Sequence, residues 1–160
     1  MDFINLIAIV LAALSAMVVG FVWYNPKVFG TAWMKAAGMT DEQLKTGNMF
    51  KIFGFALLFA FMLATMLPAI VVHQTGIYSL AQGELGKLPE YDAFVNVYGD
   101  AFRTFKHGVF HGVFAGIFIA LPILGTNALF EHKSAKYIFI NAGYWIVTLG
   151  IMGGILCGWK

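Results

Sequence analysis

The chain has 160 residues, of which 60% are hydrophobic and 11% are charged, whereas a soluble domain carries about 25% charged residues. This composition excludes a water-soluble globular domain. The net charge of +2 is too small for a nucleic-acid-binding protein, and the single cysteine, Cys157, excludes an internal disulfide.

Four long apolar stretches follow one another along the chain. They cover residues 3–24, 52–72, 108–130 and 137–159 and contain no Asp, Glu, Lys or Arg. A helix needs about 20 apolar residues to cross a bilayer. The sequence therefore predicts an all-α membrane protein: one domain, 1–160, with four transmembrane helices.

Aromatic residues mark the predicted ends of these spans at the membrane interface. The first stretch ends in Trp23-Tyr24 before Asn25-Pro26, so it is read as a span and not as a cleaved signal peptide. Tryptophan and tyrosine anchor span ends at the membrane interface, and the predicted anchors are Trp23, Tyr24, Trp33 and Trp145.

Short amphipathic helices are expected in two of the three connections. In the first, Thr40 and Gln43 have the spacing of a capping box. In the second, aromatic residues recur every three or four positions from Tyr91 to Phe105, which predicts a helix leading into the third span. The third connection is short, so spans three and four form an antiparallel hairpin.

The distribution of Lys and Arg predicts the orientation. Connections one and three share a side and hold six of these residues, whereas the other side holds four, including Lys87 and Lys160. The positive-inside rule places connections one and three in the cytoplasm and both termini outside. We expect a multi-pass protein of the bacterial cytoplasmic (inner) membrane.

Small residues recur at four-residue spacing in every span, which predicts close helix packing, either within one chain or between copies. The first two rows are alanine-rich, running from Ala8 to Gly20 and from Ala56 to Ala64. The rows of the last two spans are Gly108, Gly112, Gly116 and Gly150, Gly154, Gly158. Pro68 and Pro122 are expected to kink their helices.

One membrane side collects the residues that suit a metal. His107 and His111 are one helical turn apart in HGVFHG, and His73 and Cys157 end other spans on that side, with Met66 one further candidate. Imidazole and thiol bind Zn(II) or copper, so a metal ion or a haem is one interpretation. The other is that these histidines form ordinary hydrogen bonds near the headgroups.

The opposite side carries a second polar set, namely Asn25, Asn127, Glu131 and Asn141. An interhelical hydrogen-bond network at the base of the hairpin is the simpler interpretation, and a polar ligand or ion path is the alternative. The sequence has no hydrolase elbow, P-loop or dinucleotide loop. It therefore gives no support for an enzyme.

Two segments resemble a known family. WYNPKVFGTAW at 23–33 and NALFEHKSAKYIFINAGYW at 127–145, with the four-span layout, are similar to the family of small, mostly bacterial membrane proteins called domain of unknown function 1761. The resemblance implies a helical membrane protein and no particular activity. It draws attention to the residues that match its motifs: Trp23, Asn25, Phe29, Gly30, Trp33, Asn127, Glu131, Asn141 and Trp145.

Three functions remain open at the level of sequence. The first is a bundle that acts by association in the lipid bilayer, as a homo-oligomer or as an accessory subunit of another membrane protein. The second is a metal- or haem-binding protein that uses His73, His107 and His111. The third is a small transporter or channel subunit, suggested by kinked helices and by polar residues near both membrane faces.

Overall fold

The computed structural model describes residues 5–81, 86 and 88–159, and within these ranges the regular structure is helical. Four helical segments are long and apolar enough to cross a membrane: Leu6–Trp23, Met49–Val71, Phe105–Phe130 and Ala135–Gly158. The prediction of an all-α membrane protein is confirmed. The expected start of the first span at residue 3, and the charges Lys87 and Lys160, lie outside the described residues.

Polar caps set the helix starts. Helix α1 (Leu6–Trp23) begins after Asn5, and α4 (Met49–Met66) begins after Asn48. Helix α8 (Phe105–Ala115) follows Thr104, and α10 (Ala135–Gly158) follows Ser134. Each cap side chain accepts a hydrogen bond from a first-turn N–H. The second, third and fourth spans therefore start a few residues before the apolar stretches predicted from the sequence. Each has a lysine in its first helical turn, where a charged side chain is tolerated.

Two spans are interrupted where proline occurs. The second span is divided into α4 and α5 (Pro68–Val71), with Leu67 between them. In the third span, a π-helical turn (Gly116–Ala120) separates α8 from α9 (Leu121–Phe130), which carries Pro122 in its first turn. Proline lacks the N–H that continues a helix ladder. These breaks lie where the sequence predicts kinks.

Connection one is more structured than the sequence suggests. It contains a π-helical turn (Pro26–Gly30), α2 (Thr31–Ala37) and α3 (Asp41–Lys45). The predicted capping box is present, because Thr40 and Gln43 each accept a hydrogen bond from the other's backbone N–H. Lys133 Nζ donates to the Ala37 carbonyl at 3.1 Å, so connections one and three meet on one side.

Connection two contains the predicted short amphipathic helix as α7 (Pro89–Tyr98), after a separate α6 (Gln74–Leu80). Six residues separate the end of α7 from the start of α8 at Phe105. Phe102 lies in this gap with a left-handed φ of 62°, which a helix does not allow. The chain therefore turns at Phe102 although the aromatic residues keep their helical spacing there. The prediction that this helix continues into the third span is wrong.

Helix α10 lies at the centre of the bundle and contacts α1, α8, α9, α5 and α2. The alanine row of α1 is buried, with Ala8, Ala12 and Ala16 at most 1% exposed. The glycine rows of α8 and α10 both lie in the contact between these two helices. A Cβ on Gly108 would meet the Gly153 carbonyl, and one on Gly112 would meet the Leu149 carbonyl. These rows therefore serve packing within one chain.

Candidate metal centre

Three histidines converge at one end of the bundle. His73 lies in the break between α5 and α6, two residues after the second span ends at Val71. His107 and His111 lie in the first two turns of α8, one helical turn apart and therefore on one face. The Thr104 hydroxyl accepts the His107 N–H at 3.2 Å and fixes the start of this helix.

The three imidazoles form a compact triangle. One ring nitrogen from each histidine lies within 4.8 Å of the others. The Nε2 atoms of His73 and His107 are 2.9 Å apart, and the ring centroids are separated by 5.0 Å, 4.9 Å and 4.5 Å. Two of these histidines come from one helix and the third from the break after another span, so the cluster depends on tertiary packing.

The glycines of HGVFHG determine how close these elements come. Gly108 and Gly112 are buried against the backbone of α10. Val71, which is fully buried at the end of α5, packs against Gly153 from another side. Because α8 and α5 both contact α10 at this level, His73 is brought next to the histidine face of α8. The glycines therefore serve packing and also position the imidazoles.

A tethered loop closes one side of the cluster. The Phe102 ring stacks on His107, with centroids 5.2 Å apart and planes at 29°, and meets His73 edge-on at 6.2 Å. Arg103, which is 6% exposed, donates to the carbonyls of Cys157 and Trp159 at 3.0 Å and 2.6 Å. These bonds tie the loop to the C-terminal end of α10.

Gln74 holds the same loop from the other direction. Its Nε2 donates to the Tyr98 and Ala101 carbonyls, both at 2.8 Å, and the side chain is 4% exposed. The loop that carries Phe102 is therefore fixed by the residue next to His73 and by α10 together. Such over-determined contacts are what retain a bulky residue at a positive φ.

The cluster is accessible from one side. His73 is exposed, whereas His107 and His111 are half-buried. His107 is the third residue of its span, and His73 lies just beyond the end of another span. The centre therefore lies at the level where helix ends approach the membrane surface. A metal ion held by these three histidines would have a further coordination position available on the accessible side.

Cys157 and Met66 do not join the histidines. Cys157 is buried, and its Sγ donates to the Phe102 carbonyl at 3.4 Å. It packs beside Gly108, on the glycine face of α8, which is turned about 100° from the adjacent histidine position. The Met66 side chain is 67% exposed on the outside of α4. Of the four predicted metal-site residues, the structure brings together the three histidines and leaves Cys157 outside their cluster.

The polar residues on the opposite side form a smaller network than predicted. Asn141 Oδ1 accepts the Tyr24 hydroxyl at 2.9 Å, and its Nδ2 donates to the Tyr137 carbonyl. Asn25 instead caps the π-helical turn by accepting the Lys27 N–H. Asn127 and Glu131 are exposed, and no side-chain hydrogen bond joins them to Asn25 or Asn141 in the described part of the chain.

The predicted interface anchors turn inward. Trp23 Nε1 donates to the Ile140 carbonyl at 3.0 Å, and its ring contacts Phe29. The Tyr24 ring contacts Trp33. Trp145 lies in the middle of α10 and packs against the core, so it is not an interface anchor. The 23–33 segment thus serves to bend the chain back after α1.

Sequence reasoning missed Gln74, Gly153 and the positioning role of Phe102. Gln74 follows His73 directly, but nothing in a single sequence indicates that a glutamine beside a span end is buried. Gly153 lies between two residues of the predicted packing rows. The helix is interrupted at Phe102 because Arg103 forms hydrogen bonds to distant carbonyls at the end of α10. Such long-range bonds cannot be predicted from the local residue pattern.

Comparison with known proteins gives a family without an assigned activity. The family model described as "Protein of unknown function (DUF1761)" matches residues 7–157, which is nearly the whole chain. Neither a curated protein nor a solved structure matches the chain.

Proposed function

We propose that this chain, which belongs to the DUF1761 family, is an integral membrane protein that binds a transition-metal ion through His73, His107 and His111. The observation that carries the proposal is the convergence of one ring nitrogen from each histidine to within 4.8 Å, between the third span and the segment just after the second span. Clusters of histidines from separate elements are the usual form of protein metal sites.

The spacing suits a single ion. Imidazole nitrogens bind Zn(II) at about 2.0–2.1 Å, so two nitrogens of a tetrahedral site are about 3.3 Å apart. The distance of 2.9 Å between His73 and His107 is shorter than this, and no pair exceeds 4.8 Å. Small side-chain rotations therefore bring all three nitrogens to bonding distance.

The chemistry favours a bare ion over a haem. Three neutral imidazoles suit Zn(II) and copper. A haem between two of these histidines needs space for its macrocycle, and the third imidazole occupies that space. The Nε2 atoms of His73 and His107 are at hydrogen-bond distance, 2.9 Å, and a cation bound by all three neutral imidazoles would replace that hydrogen bond. The fourth position then holds water or an exchangeable ligand, as in open zinc sites.

The proposed location follows from charge. The Lys and Arg bias assigns connections one and three to the cytoplasm, so the three histidines face the opposite, extracytoplasmic side of a bacterial inner membrane. A site that is accessible from outside the cytoplasm suits the capture or transfer of an external metal ion. We therefore propose metal handling at the membrane surface as the role of this centre.

The test uses protein purified without a His-tag and stripped of metal with a chelator. Co(II) is titrated and followed by visible absorption, and Zn(II) then competes for the site. We expect one Co(II) per chain with the strong absorption of four-coordinate cobalt. His73→Ala is the principal variant, because it removes the ligand that only tertiary packing supplies. His132→Ala is the matched control, since His132 is exposed and lies at the opposite end of the third span.

The expected loss is large. Removing an outer-shell partner costs roughly 10–100-fold in metal affinity, and His73→Ala should exceed that range while His132→Ala retains the wild-type affinity. Equal affinities for wild type and His73→Ala, or a wild-type protein that binds no stoichiometric Co(II), Zn(II) or Cu(I), would sink the proposal.

Self-association is a second candidate. The glycine rows of α8 and α10 are used within the chain, so they do not support it. The support comes from a groove of about 440 Å³ between α1 and α4, where a Cβ added to Gly54 would meet no atom of the described residues within 4 Å. If a second copy packs in this groove, light scattering should show a dimer. Gly54→Leu should abolish the dimer, whereas Gly76→Leu, on the exposed α6, should retain it.

A further inference from the structure

A large cleft lies in the half of the bundle away from the histidines. It has a volume of about 580 Å³ and runs between α1, α4 and α10, within the range typical of small-molecule sites. Its lining includes Tyr24, Asn25 and Pro26, at the point where the first span ends. It is separate from the metal centre, because none of the three histidines contributes to its walls.

The interior of the cleft is suited to hydrocarbon. Its walls include Phe21, Phe53, Phe59 and Trp145. The hydroxyl groups at its edge already have acceptors, because Tyr24 donates to Asn141 Oδ1 at 2.9 Å and Tyr144 donates to the Ala16 carbonyl at 3.1 Å. The interior therefore offers ring faces and methyl groups to an occupant. An acyl chain meets these requirements, whereas a polar solute would lose its hydrogen bonds to water.

Two lysines are immediate sequence neighbours of residues that line the cleft. Lys27 follows the lining residue Pro26, and Lys51 precedes the lining residue Ile52. Both lysines are exposed, and both lie near the ends of spans, at the level of the lipid headgroups. Basic residues beside a crevice between membrane helices attract anionic lipid headgroups.

We propose that this cleft binds one anionic glycerophospholipid, with an acyl chain between α1, α4 and α10 and its phosphate near Lys27 and Lys51. The apolar walls select a chain, and the two ammonium groups select a negative headgroup over a zwitterionic one. This site does not depend on the metal, so the two are independently testable.

The experiment is native mass spectrometry of the full chain with phosphatidylglycerol or phosphatidylcholine of identical acyl chains. One phosphatidylglycerol should remain bound per chain, with a preference of roughly tenfold or more over phosphatidylcholine, since each lysine near the membrane surface adds to the attraction. The Lys27→Gln/Lys51→Gln double variant should lose this preference. The Lys35→Gln/Lys45→Gln double variant removes the same charge from exposed positions outside the cleft and should keep it.

A third variant tests the cleft itself. Ala56 lines the cleft and is exposed to it, so Ala56→Phe fills the space without replacing a core residue, and it should reduce retention of both lipids. Unchanged thermal unfolding confirms that each variant is folded. Equal retention of the two lipids by wild type, equal loss of preference in the two double variants, or full retention by Ala56→Phe would each overturn the inference.

Discussion

Gly112→Ala tests the close contact that positions the histidine face of α8. The added methyl carbon would coincide with the Leu149 carbonyl and approach the Gly150 Cα at 2.9 Å. These atoms belong to the backbone of α10, so no side-chain rotation relieves the overlap, and the helices must separate. We expect the effect of separation to extend to His111, one residue before, and to weaken metal binding together with stability.

The magnitude follows from two opposing terms. Overpacking a tight site costs about 1–3 kcal/mol, and contact with backbone places this substitution at the upper end. Replacing glycine by alanine within a helix stabilises the helix by about 1 kcal/mol, because alanine has the higher helix propensity. A net loss of about 2 kcal/mol corresponds to a decrease in Tm of roughly 4–8 °C for a chain of this size.

The assay is thermal unfolding in detergent, followed by tryptophan fluorescence, with Gly54→Ala as the matched control. Gly54 also lies within a membrane helix, but a Cβ there meets no atom of the described chain within 4 Å, so its Tm should stay the same or rise. A Gly112→Ala protein as stable as wild type, or an equal decrease in Tm for both substitutions, would show that the contact between Gly112 and the α10 backbone is not as tight as described.

Three further predictions concern single side chains. Phe102→Gly should relieve the strain of the left-handed backbone, worth about 1–3 kcal/mol, and so raise the Tm, and it should also change the Co(II) spectrum. His132→Gly is the control: it is also at positive φ and should raise the Tm without changing the spectrum. Identical Co(II) spectra for the two variants would contradict the role of Phe102. Cys157→Ser should bind the same amount of metal per chain as wild type, because the thiol lies outside the cluster. Loss of metal binding in this variant would indicate that the thiol is a ligand. The pKa of Glu42 is lowered by hydrogen bonds from its own backbone N–H and from Thr40. The protection factors of the α3 amides, corrected for the intrinsic pH dependence of exchange, should therefore fall as the pH drops below 4.5 through that lowered pKa; constant protection factors across that window would be inconsistent with it.

The sequence predicts the helices well because hydropathy and caps are local properties. Uninterrupted apolar stretches define the four spans, and the pair Thr40 and Gln43 defines the start of α3. Spacing also predicts that His107 and His111 share a face, since i and i+4 positions always do so in a helix. These features require no knowledge of how the helices are arranged.

The sequence does not determine which residues from different elements meet. Cys157 ends a span on the correct side of the membrane, yet it faces Gly108 and not His107, because the rotation of α10 is set by packing. The turn at Phe102 likewise depends on bonds of Gln74 and Arg103 to distant carbonyls. A single sequence carries no signal for such long-range partners.

The most direct measurement is X-ray absorption spectroscopy at the metal edge of protein purified from membranes without a tag or added metal. We expect about one metal per chain, with imidazole nitrogen scattering from three histidines at about 2.0–2.1 Å and no sulfur neighbour. A sulfur shell at about 2.3 Å would instead assign Cys157 as a ligand. Protein that is metal-free and stays so after exposure to Zn(II) and Cu(I) would contradict the claim that His73, His107 and His111 form a metal centre.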